Sequence, residues 1–115
     1  MKEAALKILL ATDLTSISDA AMRYAKTFLE PLNATLTLLH VIEPVGGDAV
    51  FVAEYDSAIE EANTKLVQIR NQLDVAEGQC DMKVEVGFPV ERIMHAVKEE
   101  NYSIVVMGMQ HDLAD

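Results

Sequence analysis

The chain contains four short runs of apolar residues, and segments with helical periodicity separate them. The runs cover residues 8–11, 35–42, 82–88 and 104–107, and the third alternates with polar residues as an edge strand does. Apolar runs of this length are typical of strands within a sheet. Strands that alternate with helices pair in parallel through right-handed crossovers. The sequence therefore predicts the order β-α-β-α-β-α-β, which is an α/β fold built on an open parallel sheet.

The helical segments are recognised by apolar residues that recur every three or four positions. Residues 55–77 have the clearest spacing, and segments 17–32 and 89–101 have shorter versions of it. In segment 55–77 the residues predicted to face the sheet are Tyr55, Ile59, Ala62, Leu66, Ile69 and Leu73. Around 17–32 they are Ile17, Ala21, Tyr24, Ala25, Phe28 and Leu32, and in 89–101 they are Val90, Ile93, Met94 and Val97. Each stripe predicts a helix packed against the sheet.

A polar or glycine-containing turn follows the end of three strands. These ends are Thr12-Asp13, Val41-Ile42 and Met107-Gly108. Parallel strands point the same way, so we expect the three ends to lie along one edge of the sheet. Ligands of open α/β sheets bind just outside that edge, where the strand order reverses. The sequence therefore predicts a crevice at this edge.

The charge of the chain limits its partners. Nine basic and nineteen acidic residues give a net charge of −10. This charge argues against binding to nucleic acid or to an anionic membrane surface, because both depend on Lys and Arg. The single cysteine, Cys80, permits neither an internal disulfide nor a cysteine-based zinc site. With no apolar stretch long enough to span a bilayer, we expect a cytoplasmic protein.

Three stretches of the sequence resemble the universal stress protein family. "KILLATDLTS" is similar to the family's opening strand, and "NATLTLLHVIEP" is similar to its second strand. "VEVGFPVERIMHAVKEENYSIVVMG" resembles the third strand, the third helix and the strand that follows. The resemblance implies a flavodoxin-like domain with strand order 3-2-1-4-5 and helices on both faces. It also implies a stress-response or regulatory protein, usually dimeric, in a family of which some members bind ATP or AMP.

The chain departs from the family pattern near its end. Nucleotide-binding members have a Gly-x2-Gly-x9-Gly-Ser/Thr loop, of which Gly108 matches the first glycine and His111 replaces the second. "GMQHD" is more similar to the A-type branch, which lacks this loop and is not expected to bind nucleotide. We therefore expect residues 1–115 to form a single domain without the fifth strand and last helix. The open edge of the fourth strand would then favour a homodimer or higher homo-oligomer.

The resemblance assigns five residues to an adenine-nucleotide site, namely Thr12, Asp13, Val41, Met107 and Gly108. Each has a structural alternative. The side chains of Asp13 and Thr12 can satisfy backbone N–H groups of their own turn, Val41 can belong to the core, and Gly108 can serve a plain turn.

No catalytic residue and no metal ligand is predicted. The sequence lacks a phosphate-binding Gly-x4-Gly-Lys loop, a Gly-x-Gly-x2-Gly turn and a Gly-x-Ser-x-Gly elbow. The three histidines, His40, His95 and His111, have no spacing that suggests a shared metal. Cys80 has acidic neighbours that disfavour a thiolate, and we expect it in a turn.

Three functions are therefore considered. The first is a non-catalytic regulatory protein that acts by self-association or partner binding, without a cofactor. The alternative is binding of ATP or AMP through Asp13, Val41 and Gly108, and the third is an enzyme such as a nucleotide hydrolase or transferase. Position 111 separates the first two, because binders carry glycine where this chain has His111. The third has no catalytic motif to support it.

Overall fold

A computed structural model describes residues 6–14, 23–24, 26–27, 29, 33–44, 55–73, 75–76 and 78–108. Within these residues lie four strands and two helices with defined bounds, and residues 23, 24 and 26 are also helical. The elements with defined bounds are, in chain order, β1 (Lys7–Thr12), β2 (Thr35–Ile42), α1 (Asp56–Leu73), β3 (Cys80–Val86), α2 (Pro89–Glu100) and β4 (Ile104–Gly108). None of the helices in these ranges has the length and apolarity that crossing a bilayer requires.

The four strands form one parallel sheet in the order β3-β2-β1-β4. This order confirms the predicted 3-2-1-4 arrangement, and β3 is an edge strand as its alternating pattern indicated. The register places Ala11 of β1 opposite both Leu39 of β2 and Met107 of β4. Thr12 is opposite Gly108. The carboxyl ends of β1, β2 and β4 therefore meet at one edge, as predicted.

Helices cover both faces of the sheet, which explains why β1 is apolar from Ile8 to Ala11. Successive strand residues point to opposite faces. Ile8 and Leu10 pack in one core layer with Leu66 of α1, whereas Leu9 packs in a second layer with Ile93 of α2. Because each layer is closed by a helix, every residue of β1 from Ile8 to Thr12 is buried.

The predicted stripe of α1 is confirmed. Ala62, Leu66 and Leu73 are buried, while Tyr55, Ile59 and Ile69 are partly buried. Leu66 is fully buried, and a leucine in such a position contributes about 1.5–3 kcal/mol of transfer free energy.

The stripe predicted for α2 is correct only in part. Ile93 is buried, but Val90 and Met94 are 62% and 65% exposed, and Ala96 takes an inner position instead. In this orientation Ile93 and Ala96 face the core, and Arg92 forms an ion pair with Glu85 of β3 (3.8 Å). Arg92 and Val90 lie on opposite flanks of the helix. The flank with Val90 and Met94 therefore faces away from β3, on the side of β4.

The end of α2 is fixed by its cap and by a polar network. Asn101 adopts a left-handed conformation (φ 55°), and its N–H donates to the carbonyl of Val97 (3.1 Å). Glu100 forms an ion pair with Lys83 of β3, and its backbone carbonyl accepts a hydrogen bond from Lys7 of β1 (2.8 Å). These contacts hold the last turn of α2 against the sheet.

One further prediction is wrong, and another lies largely outside the described residues. Cys80 is the first residue of β3 and is buried, so the prediction of a turn is wrong. The helix predicted at 17–32 lies largely outside the described residues. Of its predicted inner residues Tyr24 is described, and it is 60% exposed, whereas the nearby Leu29 is in the core.

Candidate functional site

The carboxyl ends of the strands border a cavity of about 780 Å³. Its floor is formed by the last residues of β1 and β2, and its walls come from α1 and α2. The lining residues are Ala11, Thr12, Asp13, Leu14, Leu39, His40, Val41, Ile42, Glu43, Ala58, Glu61, Ala62, Lys65, Pro89, Val90, Ile93 and Met107. We call this cavity the crevice.

Thr12 shapes the turn at the mouth of the crevice. Its side chain is buried, and its hydroxyl oxygen accepts a hydrogen bond from the N–H of Leu14 (2.9 Å). Leu14 adopts a left-handed backbone conformation (φ 66°), which is uncommon for a residue other than glycine. The hydroxyl of Thr12 thus satisfies a backbone N–H of its own turn, which is the structural alternative given for this residue above. Asp13 follows it, partly exposed, in the lining of the crevice.

His40 is a lining residue that the sequence reasoning did not assign to the site. Its Nδ1 lies 2.9 Å from the backbone oxygen of Thr12. A carbonyl oxygen can only accept, so Nδ1 donates to it. The position of His40 beside the end of β2 was the available signal, because strand ends at this edge form the crevice.

The two sides of the crevice differ in chemistry. Leu39 and Val41 point to the α2 face of the sheet, where they pack with Ile93. His40 points to the opposite face, toward α1. On the α1 side the wall includes Glu61 and Lys65. The crevice therefore has an apolar side at α2 and a polar side at α1.

Four of the five predicted site residues lie in this lining: Thr12, Asp13, Val41 and Met107. Gly108 ends β4 opposite Thr12. The binding of a ligand by any of them stays a prediction. The sequence analysis did not assign any residue of α1 or α2 to the lining of the crevice, although both helices begin at the edge where the preceding strand ends.

The sequence predicts no metal site, and the candidate ligands considered for one were its three histidines. Within the described ranges, no three His, Cys, Asp or Glu side chains lie close enough together to hold a metal ion. His95 is exposed on α2, and His40 lies in the crevice. His111 falls outside the described residues.

Cys80 lies at the amino end of β3, far along the strand from the crevice. Burial raises the pKa of its thiol from 9.0 to about 11. The positive charge of Arg70 opposes this shift, and the negative charge of Asp81 adds to it. The thiolate is therefore disfavoured, mainly because the side chain is withdrawn from water.

Comparison with known proteins identifies the family. The sequence profile of the universal stress protein family matches residues 5–114. The chain belongs to the universal stress protein family. Among characterised members, the universal stress protein MJ0577 of Methanocaldococcus jannaschii is 26% identical over 121 residues. That alignment covers 89% of this chain and 75% of the archaeal protein.

Solved structures of family members have the same fold. The structure of MJ0577 matches with a TM-score of 0.76 at 26% identity, over 94% of this chain and 77% of that one. UspA from Lactobacillus plantarum matches with a TM-score of 0.77 at 18% identity, over 98% of this chain and 83% of that one. A universal stress protein in complex with cAMP matches with a TM-score of 0.61 at 18% identity, covering 90% and 76% of the two chains. The flavodoxin-like arrangement is thus the arrangement of the family.

Proposed function

We propose that this member of the family is a non-catalytic regulatory protein of the stress response that acts by self-association along β4. The observation that supports this proposal is the difference between the two edges of the sheet. On the α2 face, β4 presents Val105 and Met107, which are 38% and 47% exposed. An edge strand with exposed apolar residues favours pairing with another strand.

The opposite edge has the residues that prevent such pairing. On the same face, β3 carries Asp81, Lys83 and Glu85. Charged side chains on an edge strand discourage association, because pairing would bury them. This contrast supports β4 as the edge that associates.

The exposed flank of α2 extends the apolar surface beside β4. Val90 and Met94 lie on the flank that faces away from Glu85, and therefore on the side of Val105 and Met107. We call these four residues the β4 face. In a twofold symmetric dimer the same face of each copy would contact the other, and the two β4 strands would run antiparallel.

The proposal is tested by light scattering over a dilution series. The expected species is about twice the 12.7 kDa mass of one chain. Val105→Lys should give a folded monomer, because a lysine would be buried at the contact. Asp81→Asn on the β3 edge changes the net charge by the same amount and should leave the mass unchanged. A wild-type monomer at every concentration would exclude self-association.

The non-catalytic part of the proposal rests on how the reactive side chains are held. Cys80 is a buried thiol with a raised pKa, and the side chain of Lys83 is paired with Glu100. Nucleophilic catalysis needs such groups activated and open to substrate. We also propose a cytoplasmic location, which the single buried thiol supports.

The second candidate function is the binding of an adenine nucleotide, ATP or AMP, in the crevice. It is favoured by the lining, because Thr12, Asp13, Val41 and Met107 border one cavity. The family member in complex with cAMP shares the fold of this chain and gives further support. A ligand that binds only the folded state raises the melting temperature. If the melting temperature does not rise with millimolar ATP or AMP, nucleotide binding is excluded.

A further inference from the structure

We propose that two copies of this chain pair their β4 strands about a twofold axis at Val106, which sets Val105 of each copy opposite Met107 of the other. This inference rests on the proposed function, self-association along β4, and specifies the contact between the copies. It is carried by the direction of the backbone groups of β4, by the length of the strand and by the positions of its exposed side chains.

The backbone of β4 restricts where the axis can lie. In a sheet, alternate residues of a strand direct their N–H and C=O groups to the same side. β4 pairs with β1 on one side, and on the other side the described residues contain no further strand. In an antiparallel pair, two opposite residues either both bond to each other or both direct these groups away from the pair. A twofold axis therefore runs between a residue and the same residue of the second copy, not between two successive residues.

The length and the side chains of β4 favour Val106 as the residue at the axis. Val106 is the middle residue of the strand Ile104–Gly108, so pairing about it uses the whole strand. This axis also places Val105 opposite Met107 of the second copy and Met107 opposite Val105, which is the reciprocal contact of a twofold interface. Both residues are apolar and exposed, and apolar side chains directly opposite each other stabilise a strand pair.

The next possible positions of the axis fit β4 less well. With the axis at Val105, Met107 lies opposite Ser103, which is polar and precedes the strand. With the axis at Met107, Val105 lies opposite position 109, beyond the last residue of the strand. Each shift takes one end of β4 out of the pairing, and with it the backbone hydrogen bonds of that end. Both exposed apolar residues therefore have an apolar partner within β4 only when the axis is at Val106.

In this arrangement the second copy also adjoins the crevice. Opposite residues of paired strands project from the same face of the sheet, so Val105 of the second copy lies on the α2 face beside Met107. Met107 lines the crevice, and so does Val90, which lies on the exposed flank of α2. The second copy therefore adds an apolar side chain next to the α2 side of the crevice.

Introduced cysteines test the position of the axis, because only a residue at the axis lies opposite itself. Val105→Cys, Val106→Cys and Met107→Cys are oxidised separately with copper phenanthroline, and covalent dimer is followed by mass spectrometry. Residues directly opposite have Cα atoms about 4.5–5.5 Å apart, within the range of about 4.4–6.8 Å that disulfides span, whereas diagonal neighbours are about 7–8 Å apart. Of the three, only Val106→Cys should therefore form a covalent dimer, of about twice the 12.7 kDa mass of one chain.

The two exposed positions give a second test that leaves Val106 in place. An equal mixture of Val105→Cys and Met107→Cys, combined under reducing conditions and then oxidised, should form a mixed covalent dimer, because these residues lie opposite each other. Gln68→Cys, at an exposed position of α1, is the control for random collisions. The expected rate is at least about tenfold above this control, because a dimer holds its paired thiols at a high effective concentration. Wild-type protein should form no covalent dimer, since Cys80 is buried.

The outcomes separate this inference from the proposed function. If Val105→Cys or Met107→Cys alone cross-links faster than Val106→Cys and the mixture, the axis at Val106 is overturned and pairing along β4 stands. If no variant exceeds the Gln68→Cys control while light scattering gives a dimer, pairing along β4 is overturned as well. A wild-type monomer at every concentration in light scattering overturns both the inference and self-association.

Discussion

The buried thiol of Cys80 gives a sharp test of the packing at the start of β3. At about pH 8, raising the pKa from 9.0 to about 11 lowers the thiolate fraction about 100-fold. A more basic thiolate is a better nucleophile, and with a Brønsted slope of about 0.45 this returns roughly eightfold. Alkylation of the native protein by iodoacetamide should therefore be at least about tenfold slower than alkylation in concentrated urea.

Two substitutions should move the rate of alkylation in opposite directions. Arg70 lowers the pKa of Cys80, so Arg70→Gln should raise that pKa further and slow the reaction. Asp81 raises it, so Asp81→Asn should speed the reaction. Both effects should be smaller than the effect of burial, which is the largest cause of the shift. The measurement is the loss of free thiol with time, followed by mass spectrometry.

The dependence of the alkylation rate on pH tests directly whether the pKa of Cys80 is raised. For a native protein the rate should keep rising past pH 9.0 and level off only near about pH 11. A plateau near pH 9.0 in protein that is still folded by circular dichroism would refute the argument. So would a native rate equal to the rate in urea, because Cys80 would then be open to solvent.

Two further predictions concern the core and the end of α2. Leu66→Ala should lower the free energy of unfolding by about 2–5 kcal/mol in urea denaturation, because Leu66 is fully buried. As a control, Gln68→Ala at an exposed position of the same helix should change the free energy of unfolding by less than about 0.5 kcal/mol. The hydrogen bond from Lys83 lowers the pKa of Glu100, so the ion pair should stabilise the fold above about pH 4.5, and this contribution should disappear as the pH falls through the lowered value. Since both side chains are more than a third exposed, the loss should be below about 1 kcal/mol. Lys83→Met should reduce the pH dependence in the same assay and leave the smaller part that comes from Tyr102 and Lys7.

The sequence was sufficient to predict the sheet and the position of the crevice. Parallel pairing follows from strands that alternate with helices, and it puts Thr12, Val41 and Met107 at one edge. The burial of Ile8 through Ala11 was also foreseeable, since an uninterrupted apolar run needs a cover on each face.

The walls of the crevice were not foreseeable from the same patterns. Glu61 and Lys65 belong to the polar face of an amphipathic helix, where a charged residue is normally solvated. Whether such a residue also borders a cavity depends on how far the helix extends past the strand ends. Periodicity carries no information about that distance. The thiol of Cys80 was misplaced for a related reason, because its neighbours Gly78 and Asp81 are typical of turns, and the pairing with β2 that buries it is non-local.

The exposed flank of α2 shows a further limit of pattern reasoning. Val90, Met94 and Val97 have helical spacing, and so do Ile93 and Ala96 on the neighbouring stripe. An apolar side chain gains the same transfer free energy whether its own chain or another copy covers it. The pattern therefore predicts burial but not the molecule that provides it.

The two outer strands of the described sheet differ in a way that supports the self-association proposed above. Both are outer strands of the sheet in the described residues, so a similar composition would be possible at each edge. Instead β3 presents Asp81, Lys83 and Glu85, while β4 presents Val105 and Met107 on the same face. A charged edge protects a sheet against pairing and an apolar edge does not. The asymmetry is thus an argument for the proposed assembly. A substitution at the exposed Val105 tests it and spares Ile104 and Val106, which pack against the core layer of Leu10.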